Sequence, residues 1–390
     1  MRIAIDGTTL CAVDGSRGAG IEHYTWSILI SMIRLAPNDL FFIYTPACLS
    51  AQSIKELQSL GSHVKILSPF GPTFSFVSRH LFLPFRFWIH RPDVFFSPFG
   101  QIPFAWIGKT VITVHDLAIY DHAEWFPSNQ HFSTRVLVHR SFARASALIA
   151  VSQTTQNKLH ELFPQTQGRV RVVYEGVNVQ EAYNALKETD QISQHFPFDR
   201  DFVLILGTIE PRKNIVNALQ AFDLFLQSHP EQVSQVRCVL AGKMGWHTQE
   251  VEQVLTQINQ RWKSIEPEGV IVFLGSVTEQ QKWQLLSRAA CLLYPSFDEG
   301  FGLPLLEAMA VGTPVIASDQ GALPEVGGEA VVYVNPEDIE AMSFALTQCL
   351  LVPEGMRELR ELGIQRASEF SWKRAAEQTL DILRKVAFPY

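Results

Sequence analysis

LLYPSFDEGFGLPLLEAMAVGTPVIASDQGALPEVGG, residues 292–328, alternates apolar runs with glycine-bearing turns. Leu292–Tyr294 and Pro314–Ala317 are short and apolar, the pattern of parallel strands covered on both faces. Between them, Pro304 suits the first position of a helix and leaves Gly300, Phe301, Gly302 and Leu303 as a loop with N–H groups to offer. That reads strand, loop, helix, strand, turn. Two carboxylates, Glu299 and Glu307, bracket the loop and the first helical turn. A helix dipole would account for Glu307 there, but not for the whole word. Carboxylates also accept vicinal hydroxyls, so the pair around an anion-binding loop suits a sugar nucleotide.

The same alternation runs outward from this stretch. Candidate strands are Ile3–Asp6, Leu40–Thr45, Val64–Leu67, Val94–Ser97, Val111–His115, Ala147–Val151 and Val170–Tyr174. A second set follows at Phe202–Gly207, Cys238–Gly242, Val270–Leu274, Cys291–Tyr294, Pro314–Ala317 and Ala330–Val334. Amphipathic helices lie between them, among them Glu22–Leu35 and Val216–Leu226. Strand–helix alternation implies an α/β chain with parallel sheets and right-handed crossovers. At 390 residues two cores are expected rather than one. The break falls in the polar segment between Gly176 and Arg200, giving two Rossmann-like, doubly wound domains. The expected division is 1–180, 181–369 and a terminal amphipathic helix within 370–390 that packs back towards the first domain.

Bulk properties remove several classes of function. The formal charge of −7, from 32 basic and 39 acidic residues, argues against nucleic acid as a partner. Cys11, Cys48, Cys238, Cys291 and Cys349 are scattered singly with no C-x-x-C pair, which suits buried thiols and not a zinc site. The N-terminus runs directly into a strand without a secretory signal, and no window is apolar enough to span a membrane. A cytoplasmic protein is expected. Residues 69–93 interleave Arg79, Arg86 and Arg91 with Phe82, Phe85, Phe87 and Trp88. This is either packing at a sheet edge or a peripheral contact with the inner face of a membrane or a lipid-linked acceptor.

Three further sites carry chemistry. Gly15, Gly18 and Gly20 precede the first helix and would let the backbone approach an anion, although the third glycine of a dinucleotide fingerprint is missing. His115 and Asp116 close an apolar strand, a place for a ligand-binding imidazole or for a histidine satisfied within the fold. In LGTIEPRKN, residues 206–214, Arg212 and Lys213 follow Pro211 at a helix start. Cations there oppose the macrodipole, so a diphosphate is a better explanation than a solvated pair with Glu210.

The words GAGIEH, VHDLAIYDHAEWF, AVSQTT, LGTIEPRKN, FLGSVTEQQ, EGFGLPLLEAMAVGTPVIAS, GALPEVGGEA and FSWKRAA, in that order, resemble the retaining glycosyltransferases of GT-B fold. The group is the sucrose-synthase and mannosyltransferase one, family 4-like, and the resemblance covers nearly the whole chain. It implies two Rossmann-like domains facing a cleft, the first for the acceptor and the second for a nucleoside-diphosphate sugar. By that resemblance Glu307 holds the ribose, and Glu299 touches the transferred sugar. Backbone N–H groups of Phe301, Gly302 and Leu303 reach sugar and β-phosphate, and Arg212 and Lys213 neutralise the diphosphate. Gly275 and Ser276 flank the base; Gly20 and His115 reach in from the first domain. Many members carry an arginine directly after the glycine at 207, where this chain has Thr208, so Arg212 is expected to substitute.

No metal and no cofactor beyond the donor is implied. The words VHDLAIYDHAEWF and GTIEPRKN look most like bacterial surface-polysaccharide mannosyltransferases, so the expected reaction is mannosyl transfer from GDP-mannose to a glycan or polyprenyl-linked oligosaccharide. The competing readings are a sugar-nucleotide epimerase or phosphorylase on the same fold, and a non-catalytic sugar-nucleotide-binding protein.

Overall fold

The computed structural model describes residues 1–10, 20–45, 49–67, 80, 83–127, 137–187 and 200–389. The glycines at 15 and 18, the cysteines at 11 and 48, and most of the aromatic-basic stretch before residue 83, including Arg79 and Phe82, lie outside them. Two parallel sheets organise the described residues. The seven-stranded sheet comprises β1 (Arg2–Asp6), β2 (Leu40–Tyr44), β3 (Val64–Leu67), β4 (Val94–Ser97), β5 (Thr110–Val114), β6 (Ala147–Ala150) and β7 (Val170–Val172), in the order β3-β2-β1-β4-β5-β6-β7. The six-stranded sheet comprises β8 (Asp201–Leu206), β9 (Val236–Ala241), β10 (Ile271–Gly275), β11 (Cys291–Tyr294), β12 (Val315–Ser318) and β13 (Val332–Val334), in the order β10-β9-β8-β11-β12-β13.

Both orders follow from physics already visible in the strands. β4, β5, β6, β11 and β12 are buried along their whole length, so each needs cover on both faces, and crossover helices supply it. Chain order reverses between β1 and β4 in one sheet and between β8 and β11 in the other. Such switch points open a crevice at the carboxyl ends of the strands. β8 and β11 pair in register with Val203 opposite Cys291 and Leu204 opposite Leu292.

The first compact unit comprises Met1–Ala123, Ser128–Gly176 and Ser371–Tyr390; the second comprises Glu124–Pro127 and Val177–Phe370. Within the first unit the terminal helix Trp372–Ala387 packs on the helix Ile21–Leu35, with Trp372 and Tyr24 rings 5.8 Å apart. Ser371 caps it by accepting from Arg374 N–H. Lys109 Nζ donates to the Ala387 carbonyl at 2.7 Å, fixing the far end. In the second unit the polar segment after Gly176 is not all linker: Val179–Lys187 is a helix, and it packs on the helix Glu279–Arg288. The second core gathers Phe222, Phe225, Leu226, Leu240, Leu293 and Ile316, all at most 1% exposed.

In the first unit the helix Leu83–His90 buries Leu83, Pro84 and Phe87 and leaves Phe85, Trp88 and Ile89 exposed at 61%, 74% and 63%. No helix among the described residues is long and apolar enough to cross a membrane. Cys238, Cys291 and Cys349 are buried and free.

Candidate active site

The two loops that leave β8 and β11 are tied to each other. After Leu206 the chain passes Gly207, forms a single 3-10 turn over Pro211–Lys213, and enters the helix Ile215–Ser228 through Asn214, which is left-handed at φ 55°. The Asn214 amide donates to the Pro295 and Pro336 carbonyls at 3.1 and 2.6 Å, and Phe297 N–H donates to the Arg212 carbonyl at 2.9 Å. Asparagine tolerates the left-handed region and carries an amide to spend on the neighbouring loop. The cations Arg212 and Lys213 are thereby fixed over the end of β11.

What they meet there is Glu299. Arg212 Nη1 donates to Glu299 Oε2 at 2.7 Å, and Lys213 Nζ donates to Oε1 at 2.5 Å. The Tyr294 hydroxyl also donates to Oε1 at 2.8 Å, while Lys213 Nζ lies 2.7 Å from that hydroxyl. Burial alone would raise the Glu299 carboxyl, but Arg212 and Lys213 outweigh it and hold the group down at about 2. Lys213 moves down from its ordinary value because burial and Arg212 act against Glu299 and Glu210. The two partners therefore shift unequally. Glu299 has two cations and a phenol, so the arrangement favours its ionised form. Arg212 does pair with Glu210 at 2.9 Å, as a helix-start pair would, but that carboxylate is buried and the guanidinium is shared with Glu299 and the Asp298 carbonyl. Two cations and two carboxylates thus form one neutral, desolvated cluster.

Glu307 has a different environment. The helix runs Leu303–Ala310, with Gly302 before it at φ 97° and Pro304 at the second helical position, which places Glu307 in the second turn and not the first. A dipole role at the helix start is therefore ruled out for it. Its carboxylate meets Lys282 of the helix Glu279–Arg288, and Lys282 Nζ also lies 2.6 Å from Glu279. Burial pushes Glu307 up to about 7 against the pull of Lys282, and Glu279 adds to the rise. Burial would lower the Lys282 ammonium, yet Glu307 and Glu279 together keep it above its usual value. One cation serves two carboxylates.

The loop between the glutamates is shaped by two glycines. A side chain at Gly302 would meet Leu323 Cδ2 at 2.6 Å, and one at Gly321 (φ 63°) would meet Glu299 N and O at 2.7 and 2.8 Å. The Ala322 N–H then reaches the Glu299 carbonyl at 2.9 Å, so the β12 turn holds the Glu299 backbone from behind. Phe301 is 4% exposed and packs edge-on to Phe370. Gly275 ends β10 at φ 69° with open space on its side-chain face, and Ser276 beside it is exposed.

In the first unit, Gly20 precedes the helix Ile21–Leu35 at φ 62°, its side-chain face open. His115 stands one residue past β5, with Nε2 2.7 Å from the Pro98 carbonyl and Nδ1 3.2 Å from Glu175 Oε1. A ring with both nitrogens engaged differs from the freely donating imidazole that a strand-end position suggests. Tyr294, Lys282, Glu210 and Glu175 were not picked out as site residues from the sequence. Trp125 and Trp246 were not either: Trp125 stacks on Phe297, 5.7 Å between centroids, and accepts at its carbonyl from the Trp246 indole N–H at 2.5 Å. The word AEWF held a signal for the first of these, since a half-exposed tryptophan beside a chemical word is a binding candidate.

Two parallel sheets, each with a switch point, and a buried Glu–Arg–Lys cluster at the second crevice define a GT-B glycosyltransferase. The chain belongs to the family-4-like group of these enzymes: residues 41–181 match Glycosyltransferase Family 4 and residues 187–366 match Glycosyl transferases group 1. It is 31% identical to O-antigen chain mannosyltransferase B of Escherichia coli over 294 residues, 75% of this chain and 74% of that one. It is 29% identical to the serotype-specific mannosyltransferase WbdA of the same species over 70% of this chain, which spans only 33% of that longer protein. Sucrose-phosphate synthase of Thermosynechococcus elongatus superposes with a TM-score of 0.76 at 20% identity, covering 99% of this chain and 98% of that one. WaaG, a glycosyltransferase involved in lipopolysaccharide biosynthesis, gives 0.73 at 14% identity, with 98% and 99% covered. At those identities the likeness concerns the fold.

Proposed function

We propose that this glycosyltransferase moves mannose from GDP-mannose, with retention and without a metal ion, to a hydroxyl of a glycan or polyprenyl-linked oligosaccharide. The observation that carries the donor site is the pair Arg212 and Lys213 pinned against Glu299 at the carboxyl ends of β8 and β11. Departure of the nucleoside diphosphate builds negative charge on its β-phosphate and positive charge at the anomeric carbon. Arg212 and Lys213 stabilise the first without reorganising, since Glu299, Glu210 and the Asp298 carbonyl already orient them. Glu299 faces the sugar being moved, and Glu307 accepts from the ribose hydroxyls. Phe301, Gly302 and Leu303 offer backbone N–H groups to sugar and phosphate, and Gly275 and Ser276 flank the base.

The acceptor hydroxyl attacks from the face the diphosphate leaves, and its proton passes to a leaving phosphate oxygen. Retention follows without a protein nucleophile, and Arg212 and Lys213 supply the charge that a metal would otherwise bring. Gly20 and His115 of the first unit serve the same transfer. The similarity to O-antigen mannosyltransferases supports mannose as the sugar. The exposed Phe85, Trp88 and Ile89, with Arg86 and Arg91 beside them, support a cytoplasmic enzyme that meets an anionic membrane where a lipid-linked acceptor lies.

Transfer from GDP-mannose in the presence of EDTA, with the product anomer read by NMR, tests the reading. A preference for UDP-sugars rejects mannose, a β-linked product rejects retention, and loss of activity restored only by a divalent ion rejects metal independence. Isomerised donor, or release that needs phosphate, would point to an epimerase or phosphorylase instead. Sedimentation with anionic vesicles, weakened by Trp88→Ala, checks the membrane contact.

A further inference from the structure

His115 has both ring nitrogens within hydrogen-bond distance of oxygen atoms. Its Nε2 is 2.7 Å from the Pro98 carbonyl, an acceptor only, so Nε2 carries a hydrogen. Its Nδ1 is 3.2 Å from Glu175 Oε1. Glu175 leaves β7 and is 4% exposed, and His115 is its one ion-pair partner among the described residues. A buried carboxylate with no cation is costly, so its ionised form requires a charged ring beside it. Among the described residues, Tyr24, Thr155 and Asp116 bring no second cation to that side. Tyr24, from the helix Ile21–Leu35, packs perpendicular to the ring at 4.5 Å and spends its hydroxyl on Thr113 at 3.0 Å. Thr155, from the helix Gln153–Leu162, donates to the backbone carbonyl of His115. Asp116, next in the chain, is a second anion and acts in the same sense as Glu175.

We infer that Glu175 is a positioning residue that holds His115 as an imidazolium donating from both nitrogens, so that His115 serves transfer as a fixed cation and not as a proton acceptor. The inference rests on the proposed participation of His115 in transfer. It fits a reaction in which the leaving phosphate takes the acceptor's proton, because a ring with both N–H groups committed has no lone pair to offer. Burial alone would lower the pKa of His115; the Glu175 hydrogen bond and charge, the Pro98 carbonyl and Asp116 together bring it above the ordinary value.

The test has one arm without substrate and one with it. Ring resonances of His115 in the full chain, followed by NMR against pH, are expected to titrate above about 6.5, with both ring nitrogens protonated at pH 7. In Glu175→Gln the midpoint falls by about one unit or more, and Glu175→Asp, which keeps the charge, restores part of it. In the kinetic arm, the pH at which kcat is halved on the alkaline side moves down in Glu175→Gln by the same amount, with the donor KM changed less than kcat. An unchanged midpoint in Glu175→Gln overturns the inference, and so does a neutral ring beside a protonated Glu175. A midpoint that moves while His115→Gln transfers like the parent also overturns it, and that result locates the failure in the assignment of His115 to transfer.

Discussion

Replacing Lys282 by methionine would isolate the electrostatics of the second glutamate. In the parent, Lys282 Nζ pairs with both Glu307 and Glu279, and the Lys282 and Glu307 side chains are 14% and 6% exposed. Methionine keeps the length of the side chain and removes its charge, so the two carboxylates lose the ammonium they share. Breaking a buried pair in this way costs about 3 kcal/mol or more at a pH where both acids are ionised. For a unit of this size that is a fall in Tm of roughly 6–12 °C.

The loss should depend on pH, and the sign follows from the raised value. Glu307 already stands at about 7 in the folded chain, against an ordinary value of 4.5. A folded-state pKa above the unfolded one destabilises the fold at high pH, and the penalty fades as pH falls from about 7 towards 4.5. Without Lys282 the folded value rises further, so protonation relieves more of the penalty in the variant than in the parent. Thermal or urea unfolding of parent and Lys282→Met at pH 8 and pH 5.5 measures the difference directly. The gap between the two proteins should be large at pH 8 and clearly smaller at pH 5.5. A gap of under about 1 kcal/mol at pH 8, or one that is equal at both pH values, would refute the reasoning.

Two other perturbations act on the first glutamate. Glu299 sits at about 2 where the free group has 4.5, a shift worth about 3 kcal/mol of folding stability. Because its folded pKa is depressed, that contribution is full above about 4.5 and is lost as pH falls towards 2. Urea midpoints at pH 5 and pH 3 should therefore converge in Glu299→Gln relative to the parent. The same variant removes a carboxylate that competes for Arg212 and Lys213. Calorimetry should find nucleoside-diphosphate binding no weaker than in the parent while transfer falls by about a hundredfold; weaker binding would mean that Glu299 does not compete for those cations. Gly321→Ala forces a left-handed residue to carry a side chain 2.7 Å from Glu299 N. It should cost about 1–3 kcal/mol in chemical denaturation and should lower turnover with it; a neutral effect on both would show that the β12 turn does not hold Glu299.

What the sequence made legible was local, and what it hid was the pairing of charges across the chain. The thirteen strands of the described residues were visible because short parallel strands are mostly apolar, and their observed bounds differ from the reading by two residues or fewer. The helix Val179–Lys187 was missed because its polar composition resembles a linker, and its packing on the helix Glu279–Arg288 is a tertiary fact. Placing Pro304 at the first helical position put Glu307 in the first turn, whereas the left-handed Gly302 starts the helix at Leu303 and carries Glu307 into the second. Glu299 and Glu307 look equivalent in the motif, two acids around one loop, yet one is held near 2 and the other near 7. The difference comes from partners far away in the chain. Arg212 and Lys213 lie 87 and 86 residues from Glu299, while Glu307 shares Lys282 with Glu279. Residue types at fixed spacing therefore announce which chemistry a site can hold. The ionisation state in which it holds them is set by the counter-charges the fold brings to each group: Arg212 and Lys213 at Glu299, and at Glu307 a lysine that also pairs with a second acid.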